Sequence, residues 1–245
     1  MYIQKGSILS TATVVIPTTG SATLEQAIQS VLAQTFIGTV CWVVIDGLQF
    51  SSAARSITNK YPFVKVLELP ENTGADNFYG HRIYAAVGYL FNADYILYLD
   101  QDNWLDPTHV ETMVNHIEKT GDDWVYSLRK IHDKNGKFLA DDNCESLGKW
   151  PAWIREDVHL IDTSCWCIKQ DVIVRISGAW YNKWGGDRLF LKAMAQHFPK
   201  WSCTGKHTLN YRLDGNPGSV TADFFEKGNA AMLEKYPTGF PWHNQ

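Results

Sequence analysis

Four short apolar runs constrain what this chain can fold into. Each ends at a proline or an aspartate, and each is followed by helical spacing. Thr13-Val14-Val15-Ile16-Pro17 is the first, and the loop Thr18-Thr19-Gly20-Ser21 follows it. Val40 to Ile45 ends at Asp46-Gly47, and Val64 to Leu69 is closed by Pro70. Tyr95 to Leu99 runs straight into Asp100. Short runs of this kind, rich in β-branched residues, read as strands buried on both faces. Between them, Leu24, Ala27, Ile28, Val31 and Leu32 recur at helical spacing, which predicts a helix over Thr23 to Gln34. Further helices are predicted over Ser51 to Lys60, about Asn77 to Phe91, and Pro107 to Lys119, where Pro107 suits a first turn. This βα alternation predicts an α/β fold with a mostly parallel sheet flanked by helices. Right-handed crossovers gather the strand ends on one edge, where ligands of such sheets bind. Those ends are Thr18, Asp46, Leu69-Pro70 and Asp100.

The second half is less regular. Trp124 to Ile131 and Lys137 to Ala140 flank a hairpin signal, His132-Asp133-Lys134-Asn135-Gly136. Trp150-Pro151 suggests a long loop, Ile161 to Ile168 another strand, and Asp187 to His197 a helix. Trp201 to Cys203 reads as an edge strand, and Asp214 to Gly218 as turn. The pattern predicts a smaller antiparallel portion beside the parallel sheet. With no repeat and no linker, the 245 residues read as a single domain.

Bulk chemistry excludes some functions. The net charge is −4 with no Lys/Arg cluster, so nucleic acid is not an expected partner. The five cysteines are odd in number and irregularly spaced, which suits free thiols in a reducing cytosol. Met1 to Thr11 lacks the pattern of a signal peptide. The longest apolar candidate, Tyr84 to Leu99, is broken by Asn92 and Asp94, short of the ~20 residues a membrane span needs. A cytoplasmic protein is expected, at most peripheral to the inner face of a membrane. Of 10 tryptophans, Trp150, Trp153, Trp166, Trp180 and Trp184 crowd one stretch, where they could fill core or stack on sugars.

The strongest chemical signal is Asp100-Gln101-Asp102-Asn103. Two carboxylates two apart, at the end of a buried strand, are costly without a counter-ion. Mg²⁺ or Mn²⁺ would supply one and would share it with substrate phosphates. The alternative is a plain turn in which Asp100 caps the next helix.

Taken in order, these pieces resemble the family 2 glycosyltransferases of GT-A fold. The likeness rests on Val14-Val15-Ile16-Pro17-Thr18, Ser30-Val31-Leu32-Ala33-Gln34-Thr35, Val43-Val44-Ile45-Asp46-Gly47, Glu71-Asn72-Thr73-Gly74 and Tyr95 to Asn103. It covers about residues 12 to 125, which it makes the nucleotide-sugar half; about 126 to 245 becomes the acceptor-facing half. The resemblance implies a nucleotide-sugar donor, UDP-linked most commonly, and a glycan or other hydroxyl acceptor. It implies that Thr18 cradles the nucleotide, Asp46 contacts base or ribose, and Arg82 lies close to the donor. It implies metal binding by Asp100 and Asp102, with His207 as a further ligand. Arg212 and Lys206 would hold the diphosphate as a segment around residues 205 to 220 closes. Asp187, in Trp184-Gly185-Gly186-Asp187-Arg188, matches the loop that carries the catalytic base; a simple cap on its helix is the alternative. Two departures stand out. Asp102 is followed by Asn103 where the family commonly has a second aspartate, and Gly80-His81-Arg82 replaces an Ala-Arg-Asn signature. A nucleotidyltransferase and a non-catalytic glycan-binding module are the rivals. The first would usually carry a basic residue in the loop Pro17 to Ser21, and none is present. The second would more often be all-β.

Overall fold

The computed structural model describes residues 10–213 and 220–243. The elements in chain order are β1 (Ala12–Thr18), α1 (Leu24–Leu32), β2 (Thr39–Ile45), α2 (Ser51–Thr58), β3 (Lys65–Glu68), α3 (His81–Leu90) and β4 (Tyr95–Tyr98). Then come β5 (Trp104–Leu105), α4 (His109–Thr120), β6 (Trp124–His132), β7 (Phe138–Asp141), β8 (Trp166–Lys169), α5 (Gln170–Ile176), α6 (Gly186–His197), β9 (Trp201–Arg212) and α7 (Ala222–Lys235).

Among the described residues the strands form one sheet in the order β3-β2-β1-β4-β8-β6-β9-β5, with β7 beside β6. β1 lies parallel between β2 and β4, with Val15 opposite both Trp42 and Tyr98. β2 and β3 are also parallel, so the first half builds the four-stranded parallel block that its sequence pattern predicts. β8 then joins β4 antiparallel, and β6 joins β8 antiparallel. Strands from both halves of the chain therefore share one core. Val14, Val15, Ile16, Val43, Val44, Ile96, Leu97, Trp124 and Trp166 are wholly buried in it. Of the clustered tryptophans, Trp166 and Trp180 are core, while Trp184 is 75% exposed.

The structure corrects several boundaries. The predicted edge strand Trp201 to Cys203 continues to Arg212 and sits inside the sheet between β6 and β5. Gly205, at φ +68°, and register shifts against β6 break the alternation that would have revealed its length. The predicted strand Ile161 to Ile168 is a 3-10 turn over Thr163–Cys165 followed by β8. The helix predicted from about Asn77 starts only at His81, because Asp76, Asn77 and Tyr79 hold left-handed backbone conformations that a helix cannot contain. α7 was not anticipated; Thr221 caps it by accepting from the Phe224 N–H. The turn expected at Asp214 to Gly218 lies outside the described residues. All five cysteines are free and buried. Among the described residues no helix is long and apolar enough to cross a membrane.

One buried cation organises the second half. Arg129 on β6 bonds Asp142 at 2.8 Å and Asp162 at 2.7 Å, and also pairs with Glu145. Its guanidinium lies 4.4 Å from the Tyr211 ring centroid. Asp142 also accepts the backbone N–H groups of Cys144, Glu145 and Ser146, which turns the chain after β7. Burial works against its charge, yet Arg129 and those donors hold its carboxyl below the usual range. Glu145 is pushed up instead, by burial that Arg129 only partly offsets.

Two outcomes follow from this packing. Arg129→Met leaves three buried carboxylates without their cation and should lower unfolding stability by about 3–5 kcal/mol in urea titrations. His109 is fully buried, with Nδ1 at 2.8 Å from the Thr208 hydroxyl and Nε2 without a partner. Burial pushes its pKa down to about 4 from 6.5. The unfolded chain thus takes up a proton on falling through pH 6.5 that the folded chain refuses until about pH 4. Stability contributed by neutral His109 should fall across that window, and His109→Gln should flatten the slope of stability against pH there.

Candidate active site

The carboxyl ends of β1, β2 and β4 open into a cleft of ≈ 580 Å³. Its far wall comes from the start of α3 and the start of α6. Thr18, Asp46, Asp100, Asp102 and Asp187, five residues singled out in the sequence, all line it. Residues drawn from over 160 positions of chain meet there because each ends a strand or opens a helix on the same edge.

Asp46 is 3% exposed and is fully engaged. Its Oδ1 accepts the Thr73 N–H and hydroxyl, both at 2.7 Å, and Oδ2 accepts the Gly74 N–H at 2.8 Å. The aspartate at the end of β2 thereby fixes the loop after β3. Asn72 and Gly74 of that loop also line the cleft.

The turn after β4 is braced on every side. Gln101 turns to the loop after β1: its Oε1 accepts the Thr18 hydroxyl at 2.6 Å and the N–H groups of Thr19 and Ser21. The Asp100 N–H donates to Ser164 Oγ at 3.0 Å, and Ser164 in turn donates its own N–H to Asp162. Asn103 explains its departure from the family pattern. Its amide donates to Ser164 Oγ and its Oδ1 accepts the Arg212 N–H, a dual role that a carboxylate could not fill. The Arg212 Nε donates to the Asp102 carbonyl at 3.1 Å, and its other nitrogens reach Lys134 O and Gln26 Oε1.

Negative charge is concentrated here. The Asp100 carboxyl is pushed up to about 7, first by burial and then by the charges of Asp102 and Asp162. Tyr84, donating to Asp100 Oδ1 at 2.7 Å, opposes that rise. Asp187 is also pushed up, chiefly by burial, with the Arg188 N–H and guanidinium countering. The N-cap position of α6 belongs to Gly185, at φ +82°; Asp187 lies in the first turn, where its Oδ1 accepts the Arg188 N–H at 2.8 Å. Gly186 lets α6 approach α3, since a Cβ there would lie 2.7 Å from the His81 ring. His81 Nδ1 meets the Asn182 carbonyl at 2.6 Å, which ties the two helix starts together.

Three expected site residues are not in the cleft lining. Arg82 donates to the Thr73 carbonyl at 3.0 Å and stacks 3.6 Å over Phe78, so it supports the loop held by Asp46. Arg212 braces the Asp102 backbone from behind. His207 lies on β9, against the Asp142 carbonyl and the ring of His243. It is five residues before Arg212, roughly 16 Å along an extended strand, so the structure does not bring it to the aspartate pair. The sequence pattern gave no role to Gln101, Tyr84, His81 and Arg188, which also line the cleft. Their only linear signal is a place within or beside a motif. The bracing role of Gln101 predicts that Gln101→Ala speeds amide hydrogen exchange at Thr19 and Ser21 while leaving the core strands protected.

Over residues 13–168 the sequence matches the family described as glycosyl transferase family 2. No curated protein sequence matches. Among solved structures, S. aureus TarS 1–349 is similar at 13% identity and a TM-score of 0.63, covering 92% of this chain and 71% of that one. Its complex with UDP-GlcNAc aligns at 16% identity and TM-score 0.63, covering 92% and 66%. The longer S. aureus TarS structure aligns at 14% identity and TM-score 0.58, covering 94% of this chain but 44% of that one. The chain thus spans less than half of that longer structure and shares its fold. A family match across more than half of the chain makes this protein a member of glycosyltransferase family 2.

Proposed function

We propose that this protein transfers a sugar from a UDP-linked donor to a hydroxyl acceptor, with inversion at the anomeric carbon. The observation that carries the reading is the convergence of Asp46, Asp100, Asp102 and Asp187 on one cleft. The similarity to a TarS structure in complex with UDP supports a uridine nucleotide.

A divalent cation, Mn²⁺ or Mg²⁺, fits this donor set. Asp100 and Asp102 offer hard oxygen atoms, and the Asp102 charge adds to burial in raising the Asp100 carboxyl. Among the described residues no group of three or more His, Cys, Asp or Glu side chains is arranged to hold a metal. Asp100 and Asp102 would therefore hold it together with donor phosphate oxygens. When bound, it would neutralise charge on the departing nucleotide.

The chain's own residues supply the rest. Asp46 and the Asn72–Gly74 loop that it orders form the nucleoside end. Thr18, held by Gln101, lines the same end. Asp187 takes the proton from the acceptor hydroxyl as that oxygen attacks the anomeric carbon from the face opposite the leaving group. Burial, by raising the Asp187 carboxyl, makes it a stronger base than an exposed aspartate. A glycan acceptor can stack on the exposed Trp184 at the rim.

Calorimetric titration of UDP, GDP and dTDP, each with and without Mn²⁺, tests the donor. UDP should bind best, in a metal-dependent manner, and Asp102→Ala should abolish the dependence. Asp187→Asn should keep UDP binding within about twofold and slow UDP release from UDP-GlcNAc by about 10²–10⁴. Absence of binding by any of the three nucleotides would sink the reading. So would full turnover by Asp187→Asn.

A further inference from the structure

The cleft has an unusual charge inventory. Four carboxylates line it, and among the described residues the one Lys or Arg that does so is Arg188. The two arginines that the family pattern would recruit are engaged elsewhere: Arg82 with the Thr73 carbonyl and the Phe78 face, Arg212 with the Asp102, Lys134 and Gln26 oxygens. Arg188 differs from both in that none of its guanidinium nitrogens donates to an acceptor among the described residues; its Nε, like that of Arg82, is sealed from solvent without a hydrogen-bond partner. Its guanidinium lies 5.6 Å from the ring centroid of Trp184, which stands largely exposed on the turn that leads into α6. A buried N–H without an acceptor is costly to keep. A guanidinium that is held by a ring, faces a cleft and lacks an acceptor is suited to take one from a ligand, as a fork for oxyanions.

We infer that Arg188 is the residue of this cleft that receives an anionic group of a substrate, a phosphate or a carboxylate. This rests on the reading of the cleft as the transfer site and goes beyond it by naming a specificity determinant. Arg188 follows Asp187 directly, so the group that it holds lies beside the proton-accepting carboxylate. Two substrates could bring such a group: the donor, through its diphosphate, or an acceptor that carries a phosphate or carboxylate near its reacting hydroxyl. Either source solves the same problem. A cleft lined by Asp46, Asp100, Asp102 and Asp187 repels anions unless a cation meets them, and Arg188 offers a directional one.

The test compares wild type, Arg188→Gln and Arg188→Lys by calorimetry, with thermal melts to verify that the fold is kept. The probes are UDP with Mn²⁺, uridine, and inorganic phosphate added to free and to UDP-saturated protein. If Arg188 holds the donor diphosphate, Arg188→Gln weakens UDP by about 10- to 100-fold and leaves uridine unchanged. If it holds an acceptor anion, UDP affinity is kept, and phosphate binds UDP-saturated wild type but not the Gln variant. Arg188→Lys should fall between, since it keeps the charge and loses the fork. Equal UDP affinity in wild type and Arg188→Gln, with no difference in phosphate binding, overturns the inference. Failure of wild type to bind UDP sinks the donor assignment instead; phosphate binding to the free protein then still decides for or against Arg188.

Discussion

Arg129 faces three buried carboxylates, and that imbalance reaches the cleft. The guanidinium neutralises at most one of Asp142, Glu145 and Asp162 in full. The remainder is spread over backbone N–H donors around Asp142 and over the raised Glu145. Asp162 is the link. One of its oxygens pairs with Arg129 and the other accepts the Ser164 N–H, while the Ser164 hydroxyl holds the Asp100 N–H. The same Asp162 charge helps to push the Asp100 carboxyl up. A structural ion cluster and a candidate cation site are therefore parts of one electrostatic system. Such a system is stable only as a whole: removing the cation strands the anions, and adding one at the cleft relieves them.

The cleft itself is built from paired supports. Asp46 orders the loop after β3, Gln101 orders the loop after β1, and Arg212 with Asn103 fixes the turn after β4. Each support spends a polar side chain on a backbone group rather than on a ligand. This pre-orders three loops on the strand side of the cleft, where loop ordering would otherwise be a cost of binding. The helix side of the cleft is made differently. There Gly186, just before Asp187, lets two helix starts approach, and Trp184 is left exposed beside Arg188.

Much of this was legible in the sequence. Alternation of apolar runs and helical spacing predicted the parallel block because β1, β2 and β4 are buried on both faces and must read as continuous apolar runs. Their ends carry Thr18, Asp46 and Asp100 because that edge is where ligands meet a sheet of this kind. The second half was harder. β9 carries a glycine and shifted register, so it lacks the two-residue period of a regular strand. The left-handed residues before α3 are Asp, Asn and Tyr rather than glycine, so the string marked the late helix start only weakly.

What the sequence by itself determined is the layout: the strand ends, the aspartate pair on one of them, and Asp187 at a helix start. These follow from local pattern, which travels with the chain. Which side chains share a space is decided only by packing across long separations. Asp187 shares a cleft with Asp100 because α6 closes against the start of α3 at Gly186. Arg82 and Arg212 read in the string as free cations, yet folding surrounds them with carbonyls and rings. His207 shares a strand with Arg212, but an extended chain carries it far from the turn that Arg212 braces. Arg188, one arginine among several in the sequence, becomes the cleft's described cation because the fold engages the others first.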